Sequence, residues 1–233
     1  MNQGLSAQHN QRPIIGLFGG TFDPIHIGHL RMALELKQRL GLDQMRLLPC
    51  HIPPHRQAPH ADTEHRAAMV QLAISGCDEL MWDDLELQNP EPSYSIHTLQ
   101  HLRARLGTEV ALCLAMGMDS LVTLQTWYCW QDLLQLAHII VAARPGWQLP
   151  EAGEMAEWVR THRGQAADLR LAPRGKIVIE ELTLLPISST AIRALIQQRQ
   201  SPQFLVPDSV WHYIRDHHLY QTVANAAAHE NNA

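Results

Sequence analysis

Two imidazoles three residues apart, set among glycines, are the residues best placed to do chemistry. They are His26 and His29 in the stretch GLFGGTFDPIHIGHL, residues 16–30, where an apolar strand gives way to a helix. Positions i and i+3 share one helical face, so both rings can offer an N–H to the same anion. The unpaired amides of the first helical turn and the helix dipole favour negative charge at that end. Gly19 and Gly20 are free to take positive φ and let the backbone approach a ligand closely, and Thr21 adds a hydroxyl. Gly28, between the histidines, removes a side chain that would stand in a ligand's way, and Asp23-Pro24 is a turn signal that puts the helix start near Ile25. This combination suits a bound phosphate. It is neither GxGxxG, because its glycines are adjacent, nor a P-loop, because GK[ST] is missing.

A second group of donors stands far downstream in ISSTAIR, residues 187–193. Ser188, Ser189 and Thr190 place hydroxyls at a helix N-terminus. Arg193, four residues after Ser189, lies on the same face and can reach a phosphate.

The elements that must position these groups alternate along the chain. Strands are predicted at Ile14–Phe18, Met45–Leu48, Leu80–Leu87, Val110–Ala115, His138–Ala143 and Ile177–Leu182. Helices are predicted at Ile27–Leu40 (stopped by Gly41), Asp62–Ser75, Ser95–Leu106 (closed by Gly107), Glu154–His162, Ala191–Gln198 and Asp208–His217. Alternation of this kind implies a Rossmann-like, doubly wound, mostly parallel α/β sheet with helices on both faces. Ligands bind such sheets beyond the carboxyl ends of the strands, which is where the glycine-histidine stretch falls. Residues 1–12 read as a disordered lead, 13–220 as a single domain whose C-terminal helical part is about 188–220, and 221–233 as a flexible tail.

Composition narrows the function classes. The chain has 233 residues, 45% of them hydrophobic, enough for a sizeable core. Its net charge of −5 argues against binding a nucleic-acid polymer, which usually shows as a basic face. The polar N-terminus lacks the apolar segment of a signal peptide, and no apolar run approaches the ~18 residues of a membrane span. Cys50, Cys77, Cys113 and Cys129 form no CxxC pair and each sits among apolar residues, which reads as buried free thiols in the cytoplasm. His51, His55, His60 and His65 make a suggestive run, but its proline-rich spacing gives no shared face, so no metal site is assigned.

The opening string is similar to the T/HxGH signature of the nucleotidyltransferase superfamily. Residues 26–29 spell HIGH, a motif of class I aminoacyl-tRNA synthetases, but the chain has neither a KMSKS-type loop nor room for tRNA-binding domains. With ISSTAIR, the string GGTFDPIHIGH resembles the bacterial nicotinate mononucleotide adenylyltransferase family. PCHIPPHR (49–56) resembles that family's PxxxPPHK loop, with Arg56 in place of lysine. HRAAMVQLA (65–73) resembles its RxxMxxLA helix, and PSYSIHTL (92–99) its SYT segment, with Ser95 in place of threonine. GMDS (117–120), QTWYCW, RPG (144–146) and LVPDSVWHYIRDHHLY fit as well, so the resemblance covers about residues 13–220.

The resemblance implies adenylyl transfer from ATP to nicotinate mononucleotide, giving deamido-NAD and pyrophosphate, with Mg2+ brought in by ATP. The attacking phosphate has a second pKa of about 6 and needs no general base, so alignment and charge stabilisation should carry the rate. His26, His29 and Arg193 are then the catalytic residues, and Gly19, Gly20, Thr21, Gly28, Ser188 and Ser189 complete the ATP site. On the acceptor side the resemblance implies Thr21, Phe22, His55, Ser95, Asp119, Trp127 and Tyr128. Trp127 would stack on the pyridine ring, and backbone amides near Tyr128 together with Ser95 would hold its carboxylate. Asp119 would meet a ribose hydroxyl or an amide, since like charges repel. A phosphopantetheine or nicotinamide mononucleotide adenylyltransferase, and a catalytically silent nucleotide binder, are the alternatives; homo-oligomerisation is left open.

Overall fold

The computed structural model describes residues 12–53, 58–146, 152–183 and 185–221. In chain order the elements are β1 (Ile14–Gly20), α1 (Ile27–Leu40), β2 (Gln44–Pro49), α2 (Thr63–Ile74), β3 (Met81–Trp82), α3 (Ser95–Leu106), β4 (Ala111–Gly117), α4 (Met118–Val122), two 3-10 turns, β5 (His138–Ala143), α5 (Glu154–His162), α6 (Asp168–Leu171), β6 (Ile177–Glu181), α7 (Ser189–Gln197) and α8 (Asp208–Asp216). The six strands lie in the order β3-β2-β1-β4-β5-β6, and every pairing is parallel. The order reverses between β1 and β4, so the crevice of this sheet opens where the glycine-histidine stretch leaves β1.

Strand side chains alternate between two cores, as a pleated strand requires. Ile14 and Phe18 of β1 face one core with Ala33, Leu36, Met69, Val70, Ile192 and Val210, so that core is covered by α1, α2, α7 and α8. Ile15 and Leu17 face the other with Leu99, Leu102, Leu121 and Val159, covered by α3, α4 and α5. With both faces covered, β4 and β5 are almost wholly apolar, and every residue of β5 is buried, His138 at its start included.

Local signals account for the boundaries. Gly41 ends α1 in the left-handed conformation, φ 61°, and donates its N–H to the Lys37 carbonyl. The Asp62 carboxylate caps α2 by accepting the His65 N–H at 3.1 Å. One strand is much shorter than expected. β3 is Met81–Trp82 instead of Leu80–Leu87, because Asp83 turns the chain: one carboxylate oxygen accepts the Leu85 N–H at 3.1 Å and the other takes Arg46 at 3.0 Å. Helix α1 spans Ile27–Leu40, the bounds expected from its apolar spacing, and so begins two residues after the start that the Asp23-Pro24 turn signal suggested. Cys50 and Cys113 are buried, but Cys129 is exposed at φ 52°, against the expectation that every thiol is buried.

At the amino end of the sheet Arg103 is buried, 9% exposed. It donates to the carbonyls of Gly107 (2.7 Å), Val110 (2.8 Å), Leu136 (3.1 Å) and Pro173 (3.1 Å). Beside it the buried His138 ring joins the Ala172 carbonyl at 2.9 Å and accepts the Lys176 N–H at 3.1 Å.

Candidate active site

His26 is the N-cap of α1 and is buried, 4% exposed. The backbone N–H of His29 donates to His26 Nδ1 at 3.3 Å, so the neutral ring carries its proton on Nε2, ready to donate outward. The two imidazoles stack with centroids 3.6 Å apart and planes 17° from parallel. Phe22 backs the His29 ring edge-on at 5.2 Å. Burial pushes the His26 pKa down to about 4. Burial, and then the neighbouring His26, hold His29 well below the ordinary histidine value. Both rings are therefore neutral donors at pH 7. His29 Nδ1 is buried with no hydrogen-bond partner among the described residues, and an unmet buried polar atom of this kind is costly unless a ligand or water meets it.

The glycines serve differently from expectation. Neither Gly19, Gly20 nor Gly28 has a positive φ; Phe22 is the residue that turns, at φ 49°. A Cβ on Gly20 would lie 2.8 Å from the Phe22 ring, and one on Gly28 would lie 3.0 Å from His26 Nδ1. Gly28 thus makes room for the His26 ring. Gly19 is the open position, where an added Cβ would meet nothing closer than a carbonyl 3.9 Å away. The first-turn donors are also partly spent: the Ile27 N–H goes to the Leu205 carbonyl at 2.9 Å and that of His29 to His26, which leaves the Gly28 N–H without a protein acceptor among the described residues.

ISSTAIR closes over this turn. Ser188 caps α7 by accepting the Ala191 N–H at 3.2 Å. Ser189 donates its hydroxyl to the Pro24 carbonyl at 2.9 Å. Arg193 donates from Nη1 to the Asp23 carbonyl at 2.7 Å and lies 3.8 Å from the Asp23 carboxylate; Nη2 reaches Thr190 Oγ1 at 3.4 Å. Arg193 thus stands beside the Asp23-Pro24 turn that leads into His26. The serine hydroxyls, expected to face phosphate, are engaged in fastening α7.

Two charged groups that the sequence reading did not single out hold the site together. Arg66 is 1% exposed and has no carboxylate partner among the described residues; it donates to the carbonyls of Thr21 (2.8 Å), Cys50 (2.8 Å), His51 (2.9 Å) and Ala61 (3.3 Å) and to the Thr63 hydroxyl (3.0 Å). Its position in the α2 pattern was the available signal, because it shares a face with buried Met69, Val70 and Ile74. Asp23, 6% exposed, accepts the N–H groups of His60 (2.8 Å) and Ala61 (3.1 Å). No local pattern announces partners so far along the chain.

On the acceptor side, Ser95 opens α3. The preceding Ser93 is stitched to the loop after β2: its hydroxyl accepts the His51 N–H and its own N–H reaches the Ile52 carbonyl, both at 2.9 Å. Tyr128, 55% exposed, meets the Tyr94 ring at 5.2 Å and the His97 ring at 5.9 Å, which ties the turn carrying Trp127 to the start of α3. Trp127 is half-buried against the second core. Asp119 is exposed in the first turn of α4, with Oδ1 2.5 Å from where a Gly117 Cβ would lie. The Phe22 side chain is 3% exposed, so only its backbone can face an acceptor. Thr21 accepts a weak contact from the Cys50 thiol at 3.8 Å. His55 and Arg56 lie outside the described residues. No three His, Cys, Asp or Glu side chains converge among the described residues.

The cytidylyltransferase-like family model matches residues 17–195. A chain from Cellvibrio japonicus named "Probable nicotinate-nucleotide adenylyltransferase" is 54% identical over 90% of this chain and 100% of its own length. One of the same name from Hahella chejuensis is 47% identical over 91% and 97%. Among solved structures, Plasmodium falciparum nicotinic acid mononucleotide adenylyltransferase complexed with NaAD shares the fold, with TM-score 0.70 at 16% identity over 89% of this chain and 97% of that one. The chain belongs to the cytidylyltransferase-like family and, within it, to the nicotinate-nucleotide adenylyltransferases.

Proposed function

We propose that the protein transfers the adenylyl group of ATP to nicotinate mononucleotide, releasing pyrophosphate and forming deamido-NAD. The observation that carries the site reading is the stacked, neutral His26–His29 pair at the switch point, with a guanidinium from 170 residues after Asp23 delivered beside it. The family relationship supports the choice of substrates.

The chemistry follows from donors. At pH 7 the acceptor phosphate is largely a dianion and attacks the α-phosphorus unaided. His26 Nε2–H and the His29 ring donate to α- and β-phosphate oxygens as negative charge grows there, and Arg193 takes charge on the departing pyrophosphate. Gly19 gives the triphosphate its close approach, and the Gly28 N–H adds a donor. Neutral imidazoles suit a buried site, because two unpaired cations would be costly to hold before substrate arrives. Thr21, Ser95 and backbone near Tyr128 would hold the acceptor, with Trp127 against the pyridine ring and Asp119 on a ribose hydroxyl. Mg2+ would arrive with ATP, held by phosphate oxygens and water, and would neutralise part of the triphosphate charge. We place the reaction in the cytoplasm, where the four free thiols stay reduced.

Pyrophosphate release is the test, measured with ATP and each of nicotinate mononucleotide, nicotinamide mononucleotide and phosphopantetheine. Turnover highest with the nicotinate nucleotide supports the reading. Turnover with phosphopantetheine alone, or with none of the three in folded protein, removes it.

A further inference from the structure

Strand β3 stops early, and the turn that replaces its second half reaches α3. Arg46 of β2 holds Asp83 at 3.0 Å, and the Leu87 N–H returns to the Asp84 carbonyl at 2.9 Å. This turn presents Glu86 to the start of α3. Glu86 Oε1 accepts the Thr98 hydroxyl at 2.8 Å, and the Ser93 hydroxyl lies against the same carboxylate. Thr98 has a second acceptor within reach, the Tyr94 carbonyl four residues back at 3.3 Å. That carbonyl already takes the N–H groups of His97 (3.0 Å) and Thr98 (3.2 Å). A hydroxyl has one proton to give, and a threonine that gives it back to its own helix bends that helix. Glu86, at the shorter distance, draws the proton outward. Tyr94 is the N-cap of α3 and makes no side-chain cap bond, unlike Ser188 at α7. The first turn of α3 is therefore fastened from outside, by Glu86.

We propose that Glu86 is a positioning residue for the acceptor nucleotide, which it serves by fixing the first turn of α3. That turn carries Ser95, and the Tyr94 ring before it meets Tyr128 at 5.2 Å, next to Trp127. With Thr98 held outward, Ser95 and the turn bearing Trp127 keep a fixed spacing, and the acceptor meets a site that is already aligned. The effect is confined to one substrate. Helix α3 covers one face of the sheet, while α1 and α7, which bring His26, His29 and Arg193, cover the other.

The inference rests on the acceptor roles proposed above for Ser95 and Trp127. Steady-state kinetics of the full-length protein, with ATP and nicotinate mononucleotide each varied in turn, test it. Glu86→Ala should raise the acceptor KM about 5- to 10-fold, the scale of one lost hydrogen bond, and leave kcat and the ATP KM within about twofold. Thr98→Val keeps the side chain's shape, removes the hydroxyl and should do the same; it carries the test if Glu86→Ala does not fold. The double variant should be no worse than either single one, because all three lose one bond. Glu86→Gln keeps a carbonyl oxygen for Thr98 and should stay within about twofold of the wild type, a rescue that general loosening of α3 does not provide. An unchanged acceptor KM in Thr98→Val, equal rises for both substrates, additive losses in the double variant or no rescue by glutamine overturns the proposal and leaves the functional reading standing. A wild type that turns over phosphopantetheine alone, or none of the acceptors, removes that reading and this inference with it.

Discussion

The two ends of the sheet use the same device for different purposes. At the amino end Arg103 gathers the carbonyls of Gly107, Val110, Leu136 and Pro173; at the carboxyl end Arg66 gathers those of Thr21, Cys50, His51 and Ala61. Both guanidiniums sit on backbone oxygen and tie loops that share no secondary structure. At the amino end the histidine, His138, is satisfied on both ring nitrogens. The carboxyl end stays open: His29 Nδ1 and the Gly28 N–H have no protein partner among the described residues. A buried arginine is thus a loop clamp wherever it occurs. What distinguishes the carboxyl end is which group is left unmet: an imidazole nitrogen of His29, where the amino end leaves only Arg12 Nε without a partner among the described residues and satisfies its histidine.

The sharpest way to break this contrast is to exchange the histidines' fates. His29→Ala should lower kcat about 10^2- to 10^3-fold, the scale of losing one transition-state donor, with no loss in melting temperature. His138→Ala should leave kcat per folded molecule within twofold and lower the melting temperature. Equal kcat losses in both would erase the distinction. Next come the clamps. Arg103→Met and Arg66→Met each strand buried carbonyls and should each cost about 3 kcal/mol in urea denaturation. Only Arg66→Met should also raise the KM for the acceptor.

The third prediction uses protons. His26 has a folded pKa near 4 against an ordinary 6.5, so between those values the unfolded chain holds a proton that the folded chain lacks. Stability therefore falls as pH drops through this window, by about 3 kcal/mol at its lower end for this residue alone. His26→Asn should flatten that part of the stability–pH curve, and an unchanged curve would show that burial does not hold the ring neutral. The smallest effect belongs to the acceptor ring. Trp127→Ala should raise the acceptor KM about tenfold and leave that of ATP within twofold; equal changes in both would deny Trp127 a stacking role.

Much of this was legible in the sequence, because the signals are local. Gly41, Gly107 and Asp62 end or start helices by their own chemistry, and the apolar runs of β1, β4 and β5 declare strands covered on both faces. The His26–His29 pair and the delivery of Arg193 to its neighbourhood followed from spacing and motif. Where reading failed, a distant partner or a side chain's volume decided. Gly20 and Gly28 are small because the Phe22 and His26 rings occupy the space, not because the backbone turns there. The strand expected to run to Leu87 ends early because Asp83 binds the Leu85 amide and Arg46, which apolar periodicity does not register. Asp23 reads as a turn residue, yet its main task is to hold amides 37 and 38 positions away.

The fastening of α7 to the Asp23-Pro24 turn has a consequence for how the molecule is born. Ser189 meets Pro24 across 165 positions, and Arg193 meets Asp23 across 170. Contacts of such separation close late, after nearer ones have reduced the entropy of the intervening chain. A nascent polypeptide still lacking its last fifth can build most of the sheet and both imidazoles, yet it holds an incomplete catalyst. Turnover in a synthesis reaction should therefore appear only after the final helices leave the ribosome.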